Sequence, residues 1–383
     1  MKGSRRLFGI TFITGVVGLG TFMLWHQSSA GSGPGLPAGN SDLNQDWQAF
    51  AALNPIDSHT HVFKNDPAFV DILRQLHLQI VDICVANDQS SVEKDLKLEL
   101  DRAWTVVRNA QGHAWLCVTF DPYKFARPDF SEQAIRQLDS NFAEGAIAVK
   151  IWKNIGMEIK GSDGKYVMPD DPVFEPIYKD IAAHNKTLIA HIAEPDECWL
   201  PPNPQAPYYG YYKEHPEWYM YRHPDHPTKA ALLAARDRLL ADNPKLRVVG
   251  AHLGSMETDV DEIARHFDRY PNFAVDTAAR VESLMLQPPA KVRAFLIKYQ
   301  DRVLYGTDLV LSPEENTQSA IKEWEDTYTR DCKYFADTEA IDYRGRKARG
   351  LELPKPVLQK LFHDNALRWF RQSNRVLSTA PAK

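Results

Sequence analysis

The sequence predicts an α/β fold, a (β/α)8 barrel, and three observations carry that prediction. Short apolar runs alternate with amphipathic segments from about residue 45 onward. Eight such runs can be marked. Single histidines or aspartates recur at the ends of several runs, where barrel enzymes carry their active-site groups.

The first run, Ile56–Val62, contains Asp57-Ser58-His59-Thr60-His61. Side chains alternate across an extended segment, so His59 and His61 face the same way. Paired imidazoles on one strand suit a divalent ion, although two nearby histidines are more often satisfied polar residues. The second and third runs are Gln79–Asn87 and His113–Asp121, in which Cys84 and Cys117 read as small core residues. In the fourth, Ala146–Asn154, the branched residues 147, 149 and 151 are expected to face helices. That turns Ala146, Ala148 and Lys150 inward, and a buried unpaired lysine wants a chemical reason. The fifth, Thr187–Glu194, carries His191, and the sixth, Arg247–Gly254, carries His252. The seventh is Phe273–Arg280, and the eighth, Val303–Leu309, ends Tyr305-Gly306-Thr307-Asp308.

Helical patterns fill the intervals at Asp66–His77, Ser91–Ala110, Ser131–Phe142, Asp171–Asn185, Pro227–Asp242, Asp259–Tyr270 and Pro289–Tyr299. Asp171-Pro172 and His226-Pro227 fit helix starts with proline in the first turn, and Asn243-Pro244 fits a stop. The longest irregular piece, about 196–226, is dense in tyrosine, tryptophan and proline. Such a loop is either a lid packed on itself, a subunit interface in a homo-oligomer, or a pocket wall.

Composition is that of an ordinary globular chain, 44% hydrophobic and 25% charged, with material for one large core. A net charge of −5 without basic blocks excludes a nucleic-acid footprint. Four cysteines are too few for a disulfide framework, and sequence does not say whether Cys198 and Cys332 pair. Residues 1–30 differ from the rest: Lys2, Arg5 and Arg6 precede an apolar run to Trp25 and then Ser28-Ser29-Ala30. This is the plan of a cleaved export signal, and Ser4-Arg5-Arg6-Leu7-Phe8 resembles the twin-arginine signal. The expectation is delivery to a bacterial periplasm by the twin-arginine machinery, already folded. An uncleaved membrane anchor is the alternative. Residues 31–44 read as a flexible linker and 45–383 as one catalytic domain.

Taken together, the strand-end residues resemble the amidohydrolase superfamily, most closely its amidohydrolase 2 branch. The carriers are Asp57-Ser58-His59-Thr60-His61, Leu188-Ile189-Ala190-His191, Ala251-His252-Leu253-Gly254 and Tyr305-Gly306-Thr307-Asp308. The closing Phe362-His363-Asp364-Asn365-Ala366-Leu367-Arg368-Trp369-Phe370 is similar to that branch's tail. The resemblance implies that His59, His61, His191 and Asp308 hold one divalent ion, with zinc expected. It also implies that Asp308 and His252 are catalytic. Val149-Lys150-Ile151-Trp152 resembles the strand on which binuclear members carry a carboxylated lysine. Were Lys150 so modified, it would bridge to a second ion bound by His191 and His252; one ion is the preferred reading.

On this reading the chain is a hydrolase opening a lactone, ester or amide with metal-activated water, helped by a His252 that polarises the carbonyl. A non-oxidative decarboxylase on the same scaffold is the alternative, and a non-catalytic exported binding protein a third. Asp57 is either a partner of a ligand histidine or a cap of the strand start. Lys153, Trp199 and Arg280 either bind an anionic or planar small-molecule substrate or are solvated and packing residues.

Overall fold

In the computed structural model, residues 45–87, 92–223, 225–343 and 346–370 are described; the expected export segment and linker lie outside them. The strands are β1 Ile56–Val62, β2 Gln79–Ile83, β3 Ala114–Thr119, β4 Ala148–Ile151, β5 Thr187–Ala190, β6 Arg247–Gly250, β7 Phe273–Asp276, β8 Val303–Leu304 and β9 Leu309–Leu311. They form one parallel sheet in the order β8-β7-β6-β5-β4-β3-β2-β1-β9, with helices between successive strands, as in TIM-like folds.

Nine strands stand where eight were expected because the last run is broken. Asp308 has φ +69°, a left-handed conformation that no strand accommodates. The first piece, β8, pairs with β7, while β9 pairs with β1. Between them Tyr305 O accepts from Ser58 N at 2.9 Å and Asp308 N donates to His59 O at 2.8 Å. The interrupted segment therefore hydrogen-bonds to the neighbours on both sides.

The other strands are shorter than their apolar runs because the chain turns at each C-terminal end. After β6 the run continues as a turn in which His252, Leu253 and Ser255 all have positive φ. Helix starts follow local chemistry: Asp66, Asp259 and Thr228 accept from backbone N–H groups of the first turns. Pro227 accordingly precedes the Thr228 cap rather than entering the first turn. Helix Thr317–Ala336 and the hairpin Ala340–Tyr343/Arg346–Arg349 are additions that the alternating rhythm does not announce. Cys198 and Cys332 are separate buried thiols.

Side chains from the strands share one core cluster: Ile56, Val81, Ile83, Cys117, Ala148, Ile189, Val249, Ala274 and Leu304. Ile147, expected to face helices, joins this cluster just ahead of β4. The C-terminal segment plugs the N-terminal end of the sheet. Trp369 O accepts from Thr187 Oγ1 and Arg247 Nε at the starts of β5 and β6, and its indole donates to Asp301 O. With that end sealed, the opposite strand ends are left to carry polar groups.

Buried carboxyls make the fold pH-sensitive. Glu99, on helix Val92–Asn109, is pushed up to about 8 by burial although it accepts Val85 N–H at 2.6 Å. A carboxyl raised in the native state contributes its stability below its unfolded value, and that contribution is lost as pH rises toward the folded value. Glu99→Gln keeps the acceptor and cannot ionise. Thermal melts from pH 5 to pH 9 should show the variant losing about 2–4 kcal/mol less stability than wild type. Parallel pH slopes in the two proteins would contradict this assignment.

Candidate metal and catalytic site

The polar groups converge at the C-terminal strand ends. His59 and His61 point to one side of β1, and each Nε2 lies 3.3 Å from Asp308 Oδ1. The two imidazoles are sealed, with side-chain exposures of 0% and 2%, whereas Asp308 at 22% is open to solutes. Ligand atoms of His59, His61 and Asp308 all lie within 4.8 Å of one another. The kink that breaks the last strand is what turns the Asp308 carboxylate toward the β1 histidines.

Second partners fix both rings. His61 Nδ1 lies 2.7 Å from Ile83 O, and His59 Nδ1 2.9 Å from Asp276 Oδ2. A carbonyl only accepts, so Nδ1 of His61 carries the hydrogen, and in the neutral ring Nε2 is a lone pair. That lone pair faces a carboxylate oxygen, an arrangement that repels until a cation or a proton sits between. This donor set fits a divalent metal. Burial, with Lys150 nearby, keeps His59 below its ordinary imidazole value and so unprotonated. Burial pushes the Asp308 carboxyl up, and the imidazoles of His252, His61 and His59 that face it pull it well below its ordinary value to the extent that they carry protons.

His191, just past β5, stands outside this three-residue cluster. Its ring centroid is 4.3 Å from that of His252, and its Nε2 is buried without a hydrogen-bond partner. Glu194 Oε1 lies 4.0 Å from that nitrogen. His252 Nδ1 lies 2.9 Å from Ala278 O and 4.0 Å from Asp308 Oδ2. Since the carbonyl takes the Nδ1 hydrogen, the His252 Nε2 is an acceptor. Burial drives both His191 and His252 well below the usual imidazole range.

Lys150 does face inward, with Nζ 3.0 Å from His59 Nε2, and burial lowers its ammonium value. Lys153 is spoken for: it pairs with Glu194, meets Tyr211 Oη at 2.7 Å and lies over the rings of Trp218 and Trp152. Trp199 ties the long loop together by donating to Pro227 O at 3.2 Å. Arg280 is different. Its guanidinium stacks on Tyr208 at 4.7 Å and donates through Nη1 to Ala279 O, while Nε is buried without a partner. Its charge is felt at both His191 and His252.

Two residues escaped the sequence reading. Asp276 ends β7 and is 0% exposed, yet one aspartate in an apolar run carries no spacing signal. Glu194 is the buried partner of Lys153 and accepts from Tyr212 Oη at 3.1 Å. Asp57, expected as a ring partner or a strand cap, touches neither ligand ring. It accepts from His59 N, Thr307 N, Thr307 Oγ1 and Tyr328 Oη, stapling β1 to the segment that carries Asp308. The long loop is a set of short helical turns packed on itself. It also borders a cleft of about 450 Å³ lined by Tyr209, Tyr212, Tyr219, Lys213 and Arg222.

A parallel α/β sheet with imidazoles and a carboxylate gathered at its C-terminal ends defines an enzyme of the TIM-like class. The chain belongs to the amidohydrolase family, whose sequence pattern matches residues 99–372. The matched stretch contains His191, His252 and Asp308, while His59 and His61 precede it. Among solved structures, 2,6-dihydroxybenzoate decarboxylase from Rhizobium superposes with a TM-score of 0.50 at 13% identity, covering 83% of this chain and 98% of that one. A 4-oxalomesaconate hydratase from Rhodopseudomonas palustris gives 0.47 at 12% identity, covering 83% and 95%. A dihydroorotase from Campylobacter jejuni gives 0.45 at 11%, covering 84% of each. At such identities the likeness concerns the fold. No curated protein matches the chain.

Proposed function

We propose that this enzyme is a metal-dependent hydrolase that cleaves the C–O or C–N bond of a small lactone, ester or amide bearing an anionic group. The observation that carries the reading is the approach of His59 Nε2 and His61 Nε2 to Asp308 Oδ1 at 3.3 Å each. These three residues would hold one divalent ion, with zinc expected from imidazole and carboxylate donors. His191 would join them through its unpartnered Nε2. A second ion enters only if Lys150 is carboxylated.

When bound, the metal supplies polarisation of the scissile carbonyl and an acidified water. Asp308, the open member of the cluster, takes the proton of the attacking water and returns it to the leaving oxygen or nitrogen. His252 presents Nε2 as an acceptor toward the substrate, because Nδ1 is committed to Ala278 O. This replaces the carbonyl-polarising role expected from sequence, which needs a hydrogen on Nε2. Arg280 holds the anionic group with its unpartnered Nε. The Lys153–Glu194 pair and Tyr212 fasten the aromatic loop beside His191 and limit water.

Arg280 equally favours one other chemistry on this scaffold, non-oxidative decarboxylation, in which the anionic group is itself lost. Turnover of lactone, ester, amide and aromatic carboxylate panels in ¹⁸O-water separates the two. Label in the product acid supports hydrolysis, and carbon dioxide release without label in the organic product replaces it with decarboxylation. A purified protein that binds no divalent metal and turns over neither panel would overturn both.

A further inference from the structure

We infer that Asp276 is a positioning residue whose single carboxylate sets both the His59 ring and the His252 turn. The inference rests on reading His59 as a metal ligand. Asp276 Oδ2 lies 2.9 Å from His59 Nδ1, while Oδ1 accepts His252 N at 2.8 Å and Ala278 N at 3.1 Å. The side chain is completely buried.

Oδ1 already accepts two backbone N–H groups, and a carboxylate only accepts, so His59 carries its hydrogen on Nδ1 and offers Nε2 as a lone pair. Lys150 Nζ, 3.0 Å from that Nε2, agrees, because an amine can donate to the lone pair. On its other oxygen Asp276 holds an uncommon piece of backbone. His252, Leu253, Gly254 and Ser255 have φ of +59°, +57°, +62° and +57°. Non-glycine residues persist in that region only where surrounding contacts over-determine them. The His252 N–H bonded to Asp276 is the first contact of this turn. Ala278 extends the control: its N–H is held by Asp276, and its carbonyl takes the His252 Nδ1 hydrogen. One carboxylate thus fixes the tautomer of His59 and both the backbone and the ring of His252.

Asp276→Asn separates this role from simple filling of space. The asparagine Oδ1 still accepts from His252 N and Ala278 N. Its amide nitrogen then faces His59 Nδ1 and can only donate, which forces the ring hydrogen onto Nε2, the nitrogen a metal needs free. Zinc affinity, read by chelator competition, should fall about 10–100-fold, with near- and far-ultraviolet circular dichroism unchanged. Nitrogen-15 spectra of the metal-free proteins should show His59 protonated at Nδ1 in wild type and at Nε2 in the variant. Zinc affinity within twofold of wild type, or the same tautomer in both proteins, overturns the inference. If the variant does not fold, the wild-type spectrum decides, since an Nε2-protonated His59 there overturns it equally. A wild type that binds no zinc removes the metal reading instead, and the tautomers then judge Asp276 alone.

Discussion

Asp308→Asn is expected to lower kcat/KM by about 1,000-fold while leaving the fold intact. The carboxylate has two duties in the proposed chemistry, as a ligand and as the group that carries a proton from water to leaving group. The amide is isosteric and can do neither well. Its Nδ2 can instead donate to the lone pairs of His59 and His61, which the native carboxylate faces at 3.3 Å. The metal-free variant should therefore melt at or above the temperature of metal-free wild type, whereas wild type with metal should melt above both. Kinetics and metal content measured on the same preparation divide the two duties. Full metal occupancy with a collapsed rate isolates the proton transfer. Activity within tenfold of wild type would remove Asp308 from the mechanism.

Arg280→Met should raise KM by about 100-fold or more while leaving the protein folded. Burial disfavours the Arg280 charge, but Tyr208, Glu257 and Glu194 around it favour that charge more, and truncating one partner of a buried, hydrogen-bonded charge pair costs about 2–5 kcal/mol of binding. Among the described residues Arg280 lies over Tyr208 and bonds to Ala279 O, with no carboxylate in hydrogen-bond contact. Its Nε is buried without a hydrogen-bond partner, and in the proposed chemistry it meets the anionic group of the substrate. Methionine keeps much of the volume and removes the charge. The prediction has two readouts, a cooperative melt that shows the variant folded and a KM that no longer distinguishes charged from neutral substrate analogues. A destabilised variant with unchanged KM would make Arg280 a structural residue.

Most of the scaffold was legible before any coordinates. The apolar runs place the strands because an extended segment buried on both faces must be apolar throughout. Aspartates such as Asp66 and Asp259 mark helix starts because their side chains answer unpaired backbone N–H groups, whereas the proline before Thr228 suggests a start that the Thr228 cap overrides. Helix Thr317–Ala336 escaped because an inserted helix has no place in a repeating rhythm. The strand count differed for a related reason: nothing in Tyr305-Gly306-Thr307-Asp308 announces that Asp308 will adopt φ +69°.

What sequence by itself determined is the chemistry on offer: two imidazoles in step on one strand, single histidines after two others, and an aspartate closing the last. Those follow from alternation along an extended chain, which is a local property. Tertiary structure alone decided which groups meet. His59, His61 and Asp308 gather because segments distant in the chain become hydrogen-bonded neighbours. Lys153 is consumed by Glu194 while the Nε of Arg280 is left without a partner, and Asp276 rather than Asp57 reaches the His59 ring. Which of two aspartates orients an imidazole depends on where the backbone carries it across the sheet, and residue order does not encode that distance directly.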